Sequence, residues 1–168
     1  MTRLTRQNRT ALGLVIFYIA CAFTLELYWL VNHSSLVGRT DLFARAYLFY
    51  GRGDRGYYDL VSSFETGLES FHLLFTQPLL ICLAVGIWRQ SAWRYPLQLA
   101  VSSYVCYSTV LYLLANHVSG YASMPHHELA AFLIFYLPNL PWVFGNAWLA
   151  SSAARSIASA FRQVEGAA

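Results

Sequence analysis

An all-α membrane protein, a four-transmembrane-helix bundle with an internal cavity, is the fold class the sequence predicts. Three observations lead there. The 168 residues are 57% apolar and only 11% charged, against about 45–50% and about 25% in a soluble domain, so most of the surface must face lipid. Four apolar stretches are each long enough to cross a hydrocarbon core of about 30 Å as a helix. The net charge of +3 is spread over the termini and loops instead of forming a block.

The first span is expected over residues 11–31, where Glu26 is the only charge. Arg3, Arg6 and Arg9 precede it in the manner of a signal peptide. The apolar run is longer than a signal peptide uses and lacks a small-residue cleavage site, so it is expected to stay in the mature chain. The second span, 60–88, carries Glu65, Glu69 and His72 in its first half and is wholly apolar from Pro78 to Ile87. The third, 95–117, has Gln98 and Asn116 as its more polar members. The fourth, 129–150, is interrupted by Pro138 and Pro141, which disrupt backbone hydrogen bonds and are expected to kink the helix beside Asn139. One domain, 1–168, holds all four.

The long connection from Asn32 to Asp59 is rich in aromatics, among them Phe43, Tyr47, Tyr50 and Tyr57. It is expected to pack on the mouth of the bundle or to lie at headgroup level. Orientation follows from the arginines, since basic residues are retained on the cytoplasmic side. Arg3, Arg6, Arg9, Arg89, Arg94, Arg155 and Arg162 fall on one side. Arg39, Arg45, Arg52 and Arg55 fall on the other, offset by Asp41, Asp54 and Asp59. Both termini are therefore expected in the cytoplasm.

Several function classes lose support at once. All eleven basic residues are arginine and form no stripe, which argues against a nucleic-acid partner. Cys21, Cys82 and Cys106 sit singly in apolar runs and read as small hydrophobes. His126, His127 and Glu128 lack the HExxH spacing and a third ligand at matching distance, and no metal is expected in this protein. The GxxxxGK[ST] and GxSxG signatures are absent as well, and no organic cofactor is expected.

What stands out is acid inside the membrane. An ionised side chain at bilayer depth costs at least about 2.5–3.5 kcal/mol, so such a residue is a functional candidate by default. Glu65, Glu69 and His72 are spaced i, i+4, i+7 and share a helix face. With Glu26 and Asn139 they can surround one cavity. Carboxyls of this kind are acid/base equipment: one donates a proton, another stabilises positive charge. The ring faces of Trp29, Trp142 and Trp148 add cation–π stabilisation, about 2 kcal/mol once water is excluded. A greasy cavity of this make-up suits carbocations or protonated amines. Glu26, Glu69 and His72 are thus the catalytic candidates, with Asn139, Trp142, Glu65, Tyr107 and Trp29 expected to bind substrate. The expected partners are a lipophilic small molecule and membrane lipid, with a homodimer left open.

Gly53-Asp54 through Glu69 to Gln77-Pro78-Leu79, Leu97-Gln98-Leu99 through Val110-Leu111-Tyr112 to His117, and Phe135-Tyr136 through Asn139 and Trp142 together resemble the EXPERA superfamily. Within it they resemble the emopamil-binding-protein branch of sterol Δ8–Δ7 isomerases. The resemblance implies a four-helix bundle with a cavity open to lipid and, in a eukaryotic cell, the endoplasmic reticulum. It also implies a buried acid that protonates a double bond, giving a cation that loses a proton from the neighbouring carbon. The two family glutamates fall on Glu26 and Glu69, and the family Asn and Trp fall on Asn139 and Trp142. Where the family isomerase has a His one turn before the first Glu, this chain has Ala22. Where the family has Thr three residues after the second Glu, it has His72. Isomerisation of a sterol-, terpenoid- or polyene-like substrate is the expected activity. Epoxide opening by a hydrolase or cyclase, and sterol or lipid binding without turnover as in the sigma-2 receptor branch, are the alternatives.

Overall fold

A computed structural model describes residues 4–124 and 128–166; Arg3, His126 and His127 lie outside the described residues. Four helices are long and apolar enough to cross a membrane: α1 (Arg6–Ser35), α3 (Ser63–Trp88), α4 (Arg94–Val118) and α5 (Leu129–Glu165). A short helix, α2 (Leu42–Tyr50), lies in the connection between the first two spans. No strand occurs among the described residues.

Side-chain caps set three of the helix starts. Thr5 accepts a hydrogen bond from the Asn8 backbone at 3.2 Å to open α1, Asp41 accepts from Ala44 at 3.1 Å to open α2, and Ser62 accepts from Phe64 at 3.1 Å to open α3. Each satisfies a first-turn N–H that has no partner within its own helix. Asp41 is held further by the Tyr28 hydroxyl at 2.6 Å and by Arg39 at 2.9 Å. The Tyr28 bond above all, then the Ala44 N–H and Arg39, bring the Asp41 carboxyl down to about 2. The connection thus contains a capped helix, which its aromatic content did not disclose. α5 runs on to Glu165, past the expected end at 150, because its Ala, Ser and Arg residues sustain the helix beyond the apolar stretch.

Several polar side chains are buried inside the bundle while many large apolar ones face outward. Phe17, Phe23, Val31, Leu74, Leu114 and Phe144 are exposed, as befits a lipid-facing surface. Gln98 of α4, by contrast, is buried and donates to the Leu149 carbonyl of α5 at 2.8 Å and to the Ser152 hydroxyl at 3.0 Å. Interhelical hydrogen bonds of this kind glue helices where lipid supplies no hydrophobic driving force.

Two apolar clusters divide the interior. One joins Val15 and Tyr18 of α1 with Leu83 and Ile87 of α3, Val105 of α4 and Leu149 of α5. The other joins Trp29, Tyr47, Tyr57, Tyr112 and Phe135.

Three of the spans break regular α geometry. π-helical turns occupy Ala22–Glu26 in α1, His72–Thr76 in α3 and Pro141–Gly145 in α5, the last just after a 3₁₀ turn at Leu137–Asn139. The kink expected from Pro138 and Pro141 takes this form, since neither proline can donate the bond that regular helix requires. There the Tyr18 hydroxyl donates to the Pro141 carbonyl at 2.8 Å. A side chain on Gly145 would collide with that hydroxyl, so glycine admits the close approach of α1 and α5.

Candidate active site

Each π turn bears or adjoins a residue singled out from the sequence. Glu26 ends the first, His72 begins the second, and Trp142 lies in the third with Asn139 just before it. A π turn inserts one residue and redirects the side chains around it, which is why such turns recur at functional sites. The result is a convergence. Ligand atoms of Glu26, Glu69 and His72, from two helices, lie within 4.8 Å of one another.

Glu69 is buried, and its Oε1 accepts a hydrogen bond from the Tyr57 hydroxyl at 2.6 Å. Its Oε2 and the Oε2 of Glu26 are both shielded from solvent and have no hydrogen-bond partner among the described residues. His72 Nε2 lies 3.1 Å from the Ser108 hydroxyl of α4, and the ring meets Tyr104 edge-on. No arginine forms an ion pair with these acids: the two ion pairs among the described residues, Arg39–Asp41 and Arg55–Asp59, are both on the surface.

The convergence lines two connected hollows. An inner space of about 60 Å³ is bounded by Glu26, Glu69, His72, Gln77, Thr109 and Trp142, among others. An outer one of about 420 Å³ shares Glu26, Tyr57, Glu69, Asn139 and Trp142 with it. The outer walls are Phe17, Cys21 and Leu25 of α1, Tyr47 and Tyr50 of α2, and Pro138 and Pro141 of α5. The cavity therefore lies between the first and last spans, with α2 contributing to its wall. Trp142 packs at a tilt against Tyr18, ring centroids 4.4 Å apart, and lines the same space.

A polar frame holds these groups in place. Asn139 donates to the Phe135 carbonyl at 2.7 Å and to the Tyr50 hydroxyl at 3.3 Å. The Tyr50 and Tyr112 hydroxyls are 3.4 Å apart, and Tyr112 donates to Asp54. Asp54 has no exposed surface, and its other oxygen accepts from the Gly56 backbone at 2.8 Å, fixing the 3₁₀ turn Arg55–Tyr57 that presents Tyr57 to Glu69. Burial above all pushes the Tyr57 phenol up, so it remains a donor. Burial and then Asp54 act in the same direction on Tyr50.

Among the residues expected to bind substrate, Asn139 and Trp142 line both hollows. Trp29 lines neither. It is buried behind Tyr57, donating to the Tyr57 carbonyl at 2.9 Å with ring centroids 5.0 Å apart, so it braces the residue that contacts Glu69. Glu65 is buried at the start of α3, takes the Ser62 hydroxyl as partner and abuts Gly56. The stripe shared with Glu69 and His72 does not extend it into the cavity. Tyr107 is corrected outright: it is 65% exposed and lines neither hollow, because it lies off the face of α4 formed by Val101, Val105, Ser108 and Tyr112. Tyr57, Tyr50, Tyr112, Asp54 and Ser108 belong to the site without having been expected there. Asp54, Tyr57, Ser108 and Tyr112 fall within the stretches that carry the family resemblance, and Asp54 and Tyr112 are among the residues that carry it.

Comparison with protein-family models finds one described as EXPERA, the expanded EBP superfamily, which matches residues 42–153.

Proposed function

Since the chain belongs to the EXPERA superfamily, whose EBP branch is associated with sterol-isomerase-like activity in membranes, we propose that it is an integral membrane acid/base isomerase. It moves a double bond in a sterol-, terpenoid- or polyene-like substrate through a carbocation. The observation that carries this reading is the meeting of Glu26, Glu69 and His72 within 4.8 Å in a hollow that Trp142 also lines.

In the proposed reaction the Glu69 carboxyl gives its proton to an alkene carbon, and the adjacent carbon becomes cationic. The Glu26 carboxylate and the Trp142 face stabilise that charge, worth about 2 kcal/mol from the ring alone in a dry site. His72, steadied by Ser108, removes a proton from the neighbouring carbon and closes the new double bond. The imidazolium then returns the proton to Glu69, so the cycle consumes nothing. Tyr57 holds the Glu69 carboxyl in one orientation, and Asn139 orients the substrate or the second carboxyl. The arginine asymmetry supports both termini on the cytoplasmic side.

A second reading is favoured by His72 itself. An imidazole beside two carboxyls can activate water or a substrate hydroxyl while one carboxyl protonates an epoxide oxygen, giving a diol or a cyclic ether.

The test incubates the detergent-purified protein with Δ8-sterols and epoxy-terpenoids in deuterated water. Deuterium at carbon with a shifted double bond is the expected result. Diol or ether products would move the assignment to epoxide opening. Tight retention of unchanged substrate would leave a binding protein and overturn the enzymatic reading.

A further inference from the structure

Two carboxyls and an imidazole lining one hollow are also a ligand set. Their ligand atoms lie within 4.8 Å of one another. Zinc bonds to nitrogen and carboxylate oxygen at about 2.0–2.2 Å, so donors around it sit about 3–3.5 Å apart. Rotamer adjustments of about 1 Å close that difference.

Three further features point to an ion. Glu69 is more than nine-tenths buried, and its Oε2, like that of Glu26, is out of solvent with no hydrogen-bond partner among the described residues. Among the described residues no arginine is paired with either acid, and the chain has no lysine, so no fixed cation among the described residues faces these carboxyls. Finally, outer partners are already in place: Tyr57 donates to Glu69 Oε1 at 2.6 Å, and Ser108 holds His72 Nε2 at 3.1 Å, leaving Nδ1 for an ion. Metal-ligating histidines and carboxylates are commonly held by such second contacts.

We propose that Glu26, Glu69 and His72 form a binding site for a transition-metal dication of the zinc class. One imidazole with two carboxylates favours such an ion over magnesium or calcium, which prefer all-oxygen sites. A dication with two carboxylates is neutral overall, which offsets the cost of holding both charges away from water. The cavity leaves room for a water or ligand oxygen on the ion. In the isomerase reading the ion competes with the proton that Glu69 must carry, so the metal-loaded protein is the inhibited form. The binding itself does not depend on that reading.

The experiment uses the full chain, purified in detergent without a histidine tag and stripped with chelator. Cobalt(II) and zinc(II) are then titrated separately, with the visible cobalt absorption and the metal content per chain as readouts. One ion per chain is expected, with an intensified cobalt band of low coordination number. His72→Thr is expected to weaken binding by at least about 10-fold, while a His126→Ala/His127→Ala double variant leaves it unchanged. Elution volume and thermal melting establish that each variant is folded. Absence of stoichiometric binding, or binding that survives His72→Thr, overturns the site. Deuterium incorporation by the metal-free protein is followed in parallel. Exchange without metal binding sinks this inference alone, and metal binding without exchange sinks the isomerase reading alone.

Discussion

The Tyr57 hydroxyl donates to Glu69 Oε1 at 2.6 Å, from a loop into the middle of a transmembrane helix bundle. That one bond ties the connection after α2 to the proposed proton donor, and it makes Tyr57 an orienting residue. A hydrogen bond to a charged group contributes about 1.5–3 kcal/mol. Tyr57→Phe is therefore expected to lower kcat by roughly 10- to 100-fold with a much smaller change in KM, measured on the substrate identified in the deuterium screen. An unchanged kcat would mean that Glu69 is positioned by packing alone.

His72 separates two roles by its variants. His72→Phe retains an aromatic ring of similar size, removes the nitrogen facing Ser108, and is expected to lower turnover by about 100-fold or more if the imidazole is the base. Near-normal turnover would reduce it to a packing contact with Tyr104. The measurement is single-turnover product formation, which excludes effects on product release.

Asp54 is expected to matter for stability more than for chemistry. Its carboxyl receives the Gly56 N–H and the Tyr112 hydroxyl and has no exposed surface. Asp54→Ala strands both donors, at about 1–3 kcal/mol each, so a loss of about 2–6 kcal/mol should appear as a lower melting temperature in detergent. Asp54→Asn, which keeps an acceptor, should lose less. Equal losses in the two variants would contradict the role given to these hydrogen bonds.

The Asp41 cap should titrate. Its folded value of about 2 lies below the ordinary carboxyl value of about 3.9. A depressed value means that the stabilisation is complete above the ordinary value and disappears as pH falls towards the folded one. α2 is thus expected to stay capped at pH 5 and to loosen between about pH 4 and pH 2. Pepsin cleavage within residues 36–50 should rise over that window relative to Asp41→Asn, whose amide caps without titrating. Matching profiles for the two proteins would remove Asp41 as the cause.

The four spans were legible because length and apolar content are one-dimensional properties, and Glu26, Glu69 and His72 because charge is conspicuous in an apolar run. Asn139 stood out beside the two prolines and Trp142 as an aromatic face, and the resemblance pointed to the same two residues. The remainder depended on phase and on contacts distant in sequence. Tyr107 was judged by residue type, whereas the i, i+3, i+4 sequence of buried positions in α4 sets it toward lipid. Glu65 was grouped with Glu69 and His72 by a regular period, but it turns to Ser62 and Gly56 at the helix start. The π turns leave no mark in composition. Tyr50, Tyr57, Tyr112 and Ser108 are ordinary residues for a membrane protein, and only the packing of α2 and the 3₁₀ turn against α4 gives them a role.

The most direct measurement is mass-spectrometric detection of solvent deuterium at carbon, comparing the wild-type chain with Glu69→Gln, each shown to be folded by its melting profile. The amide preserves shape and can still accept from Tyr57, but it has no acid proton to give. Incorporation by the wild type and none above background by Glu69→Gln is the expected result. Equal incorporation by both proteins would contradict the assignment of Glu69 as the proton donor and, with it, the account of the cavity.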